Sequence, residues 1–180
     1  MRIAFAGRLI AKKGADVLIA AIDQLKDRYP GLHLLLAGEG DDRPVLEADA
    51  VRRGLASRIA FAGRLTHEAI YPFLASAALV IVPSRIEPFG LVALEAAQAG
   101  RAVVASAIDG LPEVVVHEQT GLLVPSGDAA ALAAAIASLL DNPERAKAMG
   151  EAGRRRAMSD FSWDRYVAAH EELFQRVAGQ

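Results

Sequence analysis

The octapeptide RIAFAGRL stands at Arg2–Leu9 and returns unchanged at Arg58–Leu65. In each copy a short apolar run stops at a glycine, Gly7 or Gly63, and an arginine follows, Arg8 or Arg64. A continuous apolar run bounded by glycine reads as a strand covered on both faces, and glycine lets the backbone leave the strand without a Cβ clash. Each copy therefore reads as strand, turn, and a cation at the strand's carboxyl end. The continuations differ, LIAKKGADVLI against LTHEAIYPFLA, so the repeat is local and not a tandem architecture. It reads as two strands with similar packing needs that feed one rim.

Runs of the same kind recur along the chain. Candidate strands are Arg2–Ala6, His33–Ala37, Arg58–Ala62, Leu79–Val82, Ala102–Ala105 and Gly121–Val124. Helical patterns lie between them at Ala15–Arg28, Pro44–Leu55, His67–Ala77, Leu91–Ala99 and Pro112–His117. Three more follow the last strand, at Ala129–Leu140, Pro143–Ala157 and Trp163–Val177. This alternation predicts an α/β fold: a doubly wound, Rossmann-like, parallel six-stranded sheet with helices on both faces. No linker-like or low-complexity stretch interrupts it, so residues 1–180 read as one domain.

Hydrophobic residues make up 53% of the chain, enough for a sizeable core. The net charge of −2 favours neither nucleic acid nor an anionic membrane as the main partner. With no cysteine, disulfides and thiolate metal sites are excluded. The longest apolar runs, Phe73–Val82 and Ala129–Leu140, are too short to span a bilayer. The first residues lack a signal-peptide pattern, and the expected location is the cytoplasm.

Doubly wound sheets bind ligands outside the carboxyl ends of their strands, which makes those ends the place to look for chemistry. Gly7 to Gly14 carries Arg8 and Lys13 on either side of what reads as a mobile turn. Its spacing matches neither a Walker A loop nor G-x-G-x-x-G. Two such cations suit a diphosphate, the arginine as a fork and the lysine as a point charge; charged turns are common, and by itself this one reads as a solvated basic turn. The stretch Pro83–Ala97 says more. It holds a loop carboxylate, Glu87, then Phe89, and then Gly90 and Leu91 opening a helix whose free N–H groups suit an anion. Glu95 lies about one turn into that helix among alanines and leucines, where a carboxylate is costly without hydrogen-bond partners. Paired ribose hydroxyls would suit it. Ala107–Val114 and Glu118–Pro125 read as structural turns, and Gly38-Glu39-Gly40 is another tight turn at the same rim, a weak signal. His33, His67, His117 and His170 show no metal-ligand spacing, and no metal is expected. Arg154-Arg155-Arg156 reads as a solvated helix face, and Phe161, Trp163, Tyr166 and Phe174 as packing for the last helix.

Taken in order, these motifs resemble the C-terminal, nucleotide-sugar-binding half of a GT-B glycosyltransferase of the retaining group 1 family (family 4). GRL-x3-KG, LAGEG, the second RIAFAGRL, the E-x7-E pattern from Glu87 to Glu95, GRAVVA at Gly100–Ala105, Leu111-Pro112-Glu113 and TGLLVP at Thr120–Pro125 carry the resemblance across nearly the whole chain. It implies that Arg8 and Lys13 neutralise a leaving diphosphate, supported by amides near Gly90 and Leu91. Glu95 would hold the ribose and Glu87 the donor sugar, while Arg64 and Leu65 would line the base pocket with Gly7 and Phe89 close by. No cofactor is implied beyond the nucleoside-diphosphate sugar itself. Two features depart from the family pattern: Asp109-Gly110 replaces a pair of glycines, and Ala102 replaces a proline. The N-terminal acceptor half of a full enzyme is absent from this stretch, so the implied activity alone is weak or nil, and the last helix would lack the half on which it normally packs. The alternatives are a non-catalytic nucleotide-binding module that pairs with a separate acceptor-domain chain, an inert scaffold, and an epimerase of the same architecture.

Overall fold

Six strands form one parallel sheet in the order β3-β2-β1-β4-β5-β6 in the computed structural model, which describes residues 1–179. The strands are β1 (Arg2–Ala6), β2 (His33–Ala37), β3 (Ile59–Gly63), β4 (Leu79–Val82), β5 (Ala102–Ser106) and β6 (Gly121–Val124). The helices are α1 (Ala15–Leu25), α2 (Arg43–Arg52), α3 (His67–Ala75), α4 (Leu91–Gln98), α5 (Leu111–Val114), α6 (Ala129–Leu140), α7 (Pro143–Asp160) and α8 (Trp163–Ala178).

Alternation along the central strands divides the core. Ile3, Phe5, Leu79, Ile81 and Val104 pack with α1, α2 and α6 on one face. Ala6, Val80, Val82, Val103 and Ala105 pack with α3, α4, α5 and the end of α7 on the other. β1 and β4 pair at the centre, Ile3 against Leu79, and the chain winds outward from them in opposite directions. A crevice therefore opens at their carboxyl ends.

Several boundaries differ from the sequence reading for local reasons. α2 stops before Leu55 because Gly54 turns the chain at φ 71°. α5 has four residues and does not reach His117, because Val115 is extended (φ −105°, ψ 113°) and Thr120 Oγ1 accepts the Val116 N–H. α1 ends at Leu25 instead of Arg28, and the chain passes into a turn whose Tyr29 hydroxyl donates to Asp141.

The two RIAFAGRL copies do not share packing needs. β1 is central, and its residues Ile3–Ala6 are buried; β3 is an edge strand on which Ala60 and Ala62 are exposed. Phe5 is buried, whereas Phe61 is half-buried beneath the Arg43 guanidinium, 5.8 Å from its ring centre.

In the arginine run Arg156, and among the late aromatics Trp163, Tyr166 and Phe174, depart from expectation, whereas Arg154 and Arg155 are exposed and Phe161 packs against the core. Arg156 is not a solvated residue: its guanidinium donates to the carbonyls of Val114 (2.7 Å) and Glu113 (2.8 Å) and lies over the Phe161 ring. Trp163, Tyr166 and Phe174 pack into no core; they are 73%, 53% and 68% exposed, and α8 has no buried residue.

Candidate functional site

Three strand ends form one flat rim. The Gly7 N–H donates to Ala37 O (2.9 Å) and the Gly38 N–H to Gly63 O (2.7 Å). The tight position is Gly38, where a Cβ would lie 1.8 Å from Gly7 O. At Gly7 and Gly63 themselves an added Cβ would meet only side-chain atoms, at 3.4 and 3.2 Å. The expected clash is therefore at the turn read as weak, Gly38-Glu39-Gly40, and Gly63 is required by its φ of 70° instead. The rim bounds a cavity of about 430 Å³ lined by Gly7, Arg8, Glu39, Arg64, Leu65 and Ile70 among others. Both copies of the octapeptide thus meet in one cleft. Arg8 and Arg64 are exposed, and neither has an ion-pair partner among the described residues.

The segment between Arg8 and Lys13 is not a mobile turn. Ala11–Lys13 is a 3-10 turn, and the loop after β4 holds it: the Arg85 N–H donates to Lys12 O (2.8 Å), and the Arg85 guanidinium to Ala11 O (2.7 Å). The same guanidinium grips both Asp16 oxygens, at 2.8 and 2.6 Å. The Arg85 hydrogen bonds hold the Asp16 carboxyl below the usual range, against the opposing effect of its burial. Lys13 is thereby delivered to Glu87: Nζ lies 2.6 Å from Oε2, which also accepts the Ser84 hydroxyl at 2.9 Å.

Beyond Glu87, Gly90 (φ 98°) opens α4 with no side-chain cap. The first intrahelical bond runs from Leu94 N to Gly90 O, so the amides of Leu91 and Val92 face outward without helical acceptors. Leu91 and Phe89 are exposed, Phe89 meeting Phe161 edge-on at 6.1 Å. Glu95 is half-buried, and among the described residues no donor engages its carboxylate. Burial pushes that carboxyl up, and the His67 charge pulls it partly back.

Asp109 adopts φ 45°, in the left-handed region where glycine is at ease, which accounts for glycine at this position in the family pattern. Its Oδ2 accepts the Glu87 N–H at 2.9 Å. Sequence reading missed Ser84, Arg85 and this use of Asp109. The partners lie far apart in the chain, and the one local sign was Asp109 where glycine is usual.

The structure therefore brings Gly7, Arg8, Arg64 and Leu65 into one cleft, joins Lys13 to Glu87, and places Phe89 and Gly90 at the entry of α4, with Leu91 and Glu95 on its first turns. A larger groove of about 550 Å³ runs beside Glu151, Arg154, Arg155, Met158 and Ser159, but α7 alone lines it and no strand end contributes.

The model of the family described as "Glycosyl transferases group 1" matches residues 2–156. The chain belongs to that family. Among curated group 1 relatives it is 40% identical to glycogen synthase of Mycobacterium tuberculosis over 170 residues, which cover 94% of this chain and 41% of that protein. Its fold superposes on sucrose-phosphate synthase from Thermosynechococcus elongatus with a TM-score of 0.91 at 36% identity, covering 99% of this chain and 45% of the other. It also superposes on Anabaena HepE in complex with UDP-glucose, with a TM-score of 0.87 at 26% identity, covering 99% and 49% respectively. The chain thus spans less than half the length of these proteins. Among the described residues, no helix is long and apolar enough to cross a membrane.

Proposed function

We propose that this chain is the donor-binding part of a retaining glycosyltransferase, taking a nucleoside-diphosphate sugar at the crevice between β1 and β4. The observation that carries this reading is the Lys13–Glu87 pair. A cation and a carboxylate, joined across the two strands at the switch point, lie between the cleft of Arg8 and Arg64 and the open amides of α4. Such a set has a place for each portion of the ligand. Arg64 and Leu65 take the base, Glu95 the ribose hydroxyls, Arg8 with the α4 amides the diphosphate, and Glu87 the sugar. When the bond from the anomeric carbon to the phosphate oxygen breaks, its electron pair leaves with the diphosphate. Lys13 and Arg8 are the groups that neutralise that charge. UDP in a solved relative makes uridine the first base to test.

The exposed aromatic face of α8 supports a chain that works against a partner surface, an acceptor-binding domain, and transfers little sugar without it. Calorimetric titration with UDP, GDP and ADP, repeated on Glu95→Ala, tests the reading. One nucleotide should bind, and more weakly in the variant. Binding of none, or robust transfer by the chain alone, would contradict the respective claim.

A further inference from the structure

We infer that Asp109 is the residue that positions Glu87, and through it Lys13, for the donor sugar; the sugar-directed part of this inference rests on the reading above. The turn after β5 grips the Glu87 peptide on both sides. Asp109 Oδ2 accepts its N–H at 2.9 Å, and the Gly110 N–H donates to its carbonyl at 3.2 Å. The grip continues along the loop. A Cβ on Gly110 would stand 2.4 Å from Pro88 O, and one on Gly90 would stand 2.8 Å from Leu111 Cδ2.

The Glu87 side chain, so anchored at its backbone, accepts from Lys13 and Ser84 through the same oxygen, Oε2. A hydrogen bond to a charged acceptor is stronger than one between neutral groups, and glycine at position 109 has no acceptor to offer. Asp109 nonetheless holds φ 45°, which a side-chain-bearing residue adopts at a cost. The bond to Glu87 is the visible return for that strain. With Oδ2 facing the Glu87 amide, the carboxylate that stands out from the family pattern is engaged with the loop instead of free in the cleft.

The test compares the wild-type chain with Asp109→Gly, which relaxes the backbone and removes the acceptor, and Asp109→Asn, which tolerates the left-handed region and keeps an acceptor oxygen. Two readouts need no nucleotide: hydrogen exchange at the Glu87 amide, and the rate at which acetic anhydride modifies Lys13. Both should rise about tenfold in Asp109→Gly and stay within about twofold of wild type in Asp109→Asn. The third readout is affinity for UDP and for UDP-glucose. Asp109→Gly should lose about three- to tenfold for UDP-glucose with UDP unchanged, a split that general damage to the fold would not produce. Unchanged exchange and labelling in Asp109→Gly would overturn the inference, and so would equal loss of both ligands. A wild-type chain that binds neither ligand would overturn the donor-site reading instead, and the two nucleotide-free readouts would still decide whether Asp109 positions Glu87.

Discussion

Lys13 Nζ sits 2.6 Å from Glu87 Oε2, closing a bridge between the turn after β1 and the loop after β4. β1 and β4 are the strands from which the sheet winds in opposite directions, so the bridge spans the mouth of the crevice. Each partner is mostly buried, 22% and 13% exposed at the side chain. On the proposed reading, a diphosphate entering the crevice would compete with Glu87 for the same ammonium.

That competition gives the two partners opposite signs. Lys13→Met should weaken UDP binding by about tenfold, the loss of one charge-assisted contact. Glu87→Gln, which releases Lys13, should leave UDP affinity equal or up to about fivefold tighter while reducing the preference for UDP-glucose over UDP. Titration calorimetry on both variants checks the pair; a loss of UDP affinity in both would rule the competition out.

Glu95 should impose a pH dependence of definite sign. Burial raises its carboxyl above the ordinary 4.5, so the folded chain holds that proton more tightly than the unfolded chain does. Its contribution to stability is fully present below pH 4.5 and is lost as pH rises through the higher folded value. Glu95→Gln should therefore gain stability relative to wild type as the pH is raised from below 4.5 through the higher folded value, and lose nucleotide affinity. Urea unfolding of both proteins across that range measures the first effect, and calorimetry the second.

Asp16 carries the opposite sign. The Arg85 hydrogen bonds hold its carboxyl below the ordinary 3.8, so its contribution is present above that value and lost as pH falls through the lower folded one. Both side chains are more than a third exposed, which limits the stability at stake. Arg85→Leu should cost about 1 kcal/mol, less at high salt. The Lys13 turn should also lose its anchor, so UDP affinity should fall by more than the stability change alone would suggest. Urea titrations at low and high salt, with calorimetry beside them, separate the two.

Much of the fold was legible because strand limits coincide with local punctuation. β1, β2, β4 and β6 all end where an apolar run meets Gly or Pro: Gly7, Gly38, Pro83 and Pro125. Pattern alone could not tell a central strand from an edge strand when the residues are identical: Ala4 and Ala60 share a neighbourhood in sequence, yet only Ala4 is buried. The site was legible as motifs and illegible as contacts. Arg85 with Asp16, and Glu87 with Asp109, meet because the loops after β4 and β5 and the turn after β1 converge, and local periodicity holds no record of that convergence.

Two glycines separate lack of space from backbone preference. At Gly38 a Cβ would strike Gly7 O at 1.8 Å, with φ 133° besides. Gly54 has φ 71° and nothing within 4 Å. Gly54→Ala should cost about 1 kcal/mol, the price of the left-handed conformation. Gly38→Ala must displace the β1 turn and should cost more than about 3 kcal/mol, with loss of the cleft. Chemical unfolding of the two variants reads the difference directly.

The exposed face of α8 predicts a division between stability and association. Trp163 stacks on Tyr166 at 5.1 Å and Tyr166 on His170 at 4.0 Å, but the ladder meets no other element's core. Replacing Trp163, Tyr166 and Phe174 together by serine should leave urea stability within about 0.5 kcal/mol, as for ordinary surface sites. Leu18→Ala, by contrast, removes a fully buried side chain and should cost about 2 to 5 kcal/mol. The serine variant should sediment as a monomer at concentrations where the wild-type chain associates, because a contiguous aromatic face in water is driven to find cover. If the triple variant unfolded as readily as Leu18→Ala, α8 would have to be packed in solution, and its face would be part of the core instead of a surface awaiting a partner.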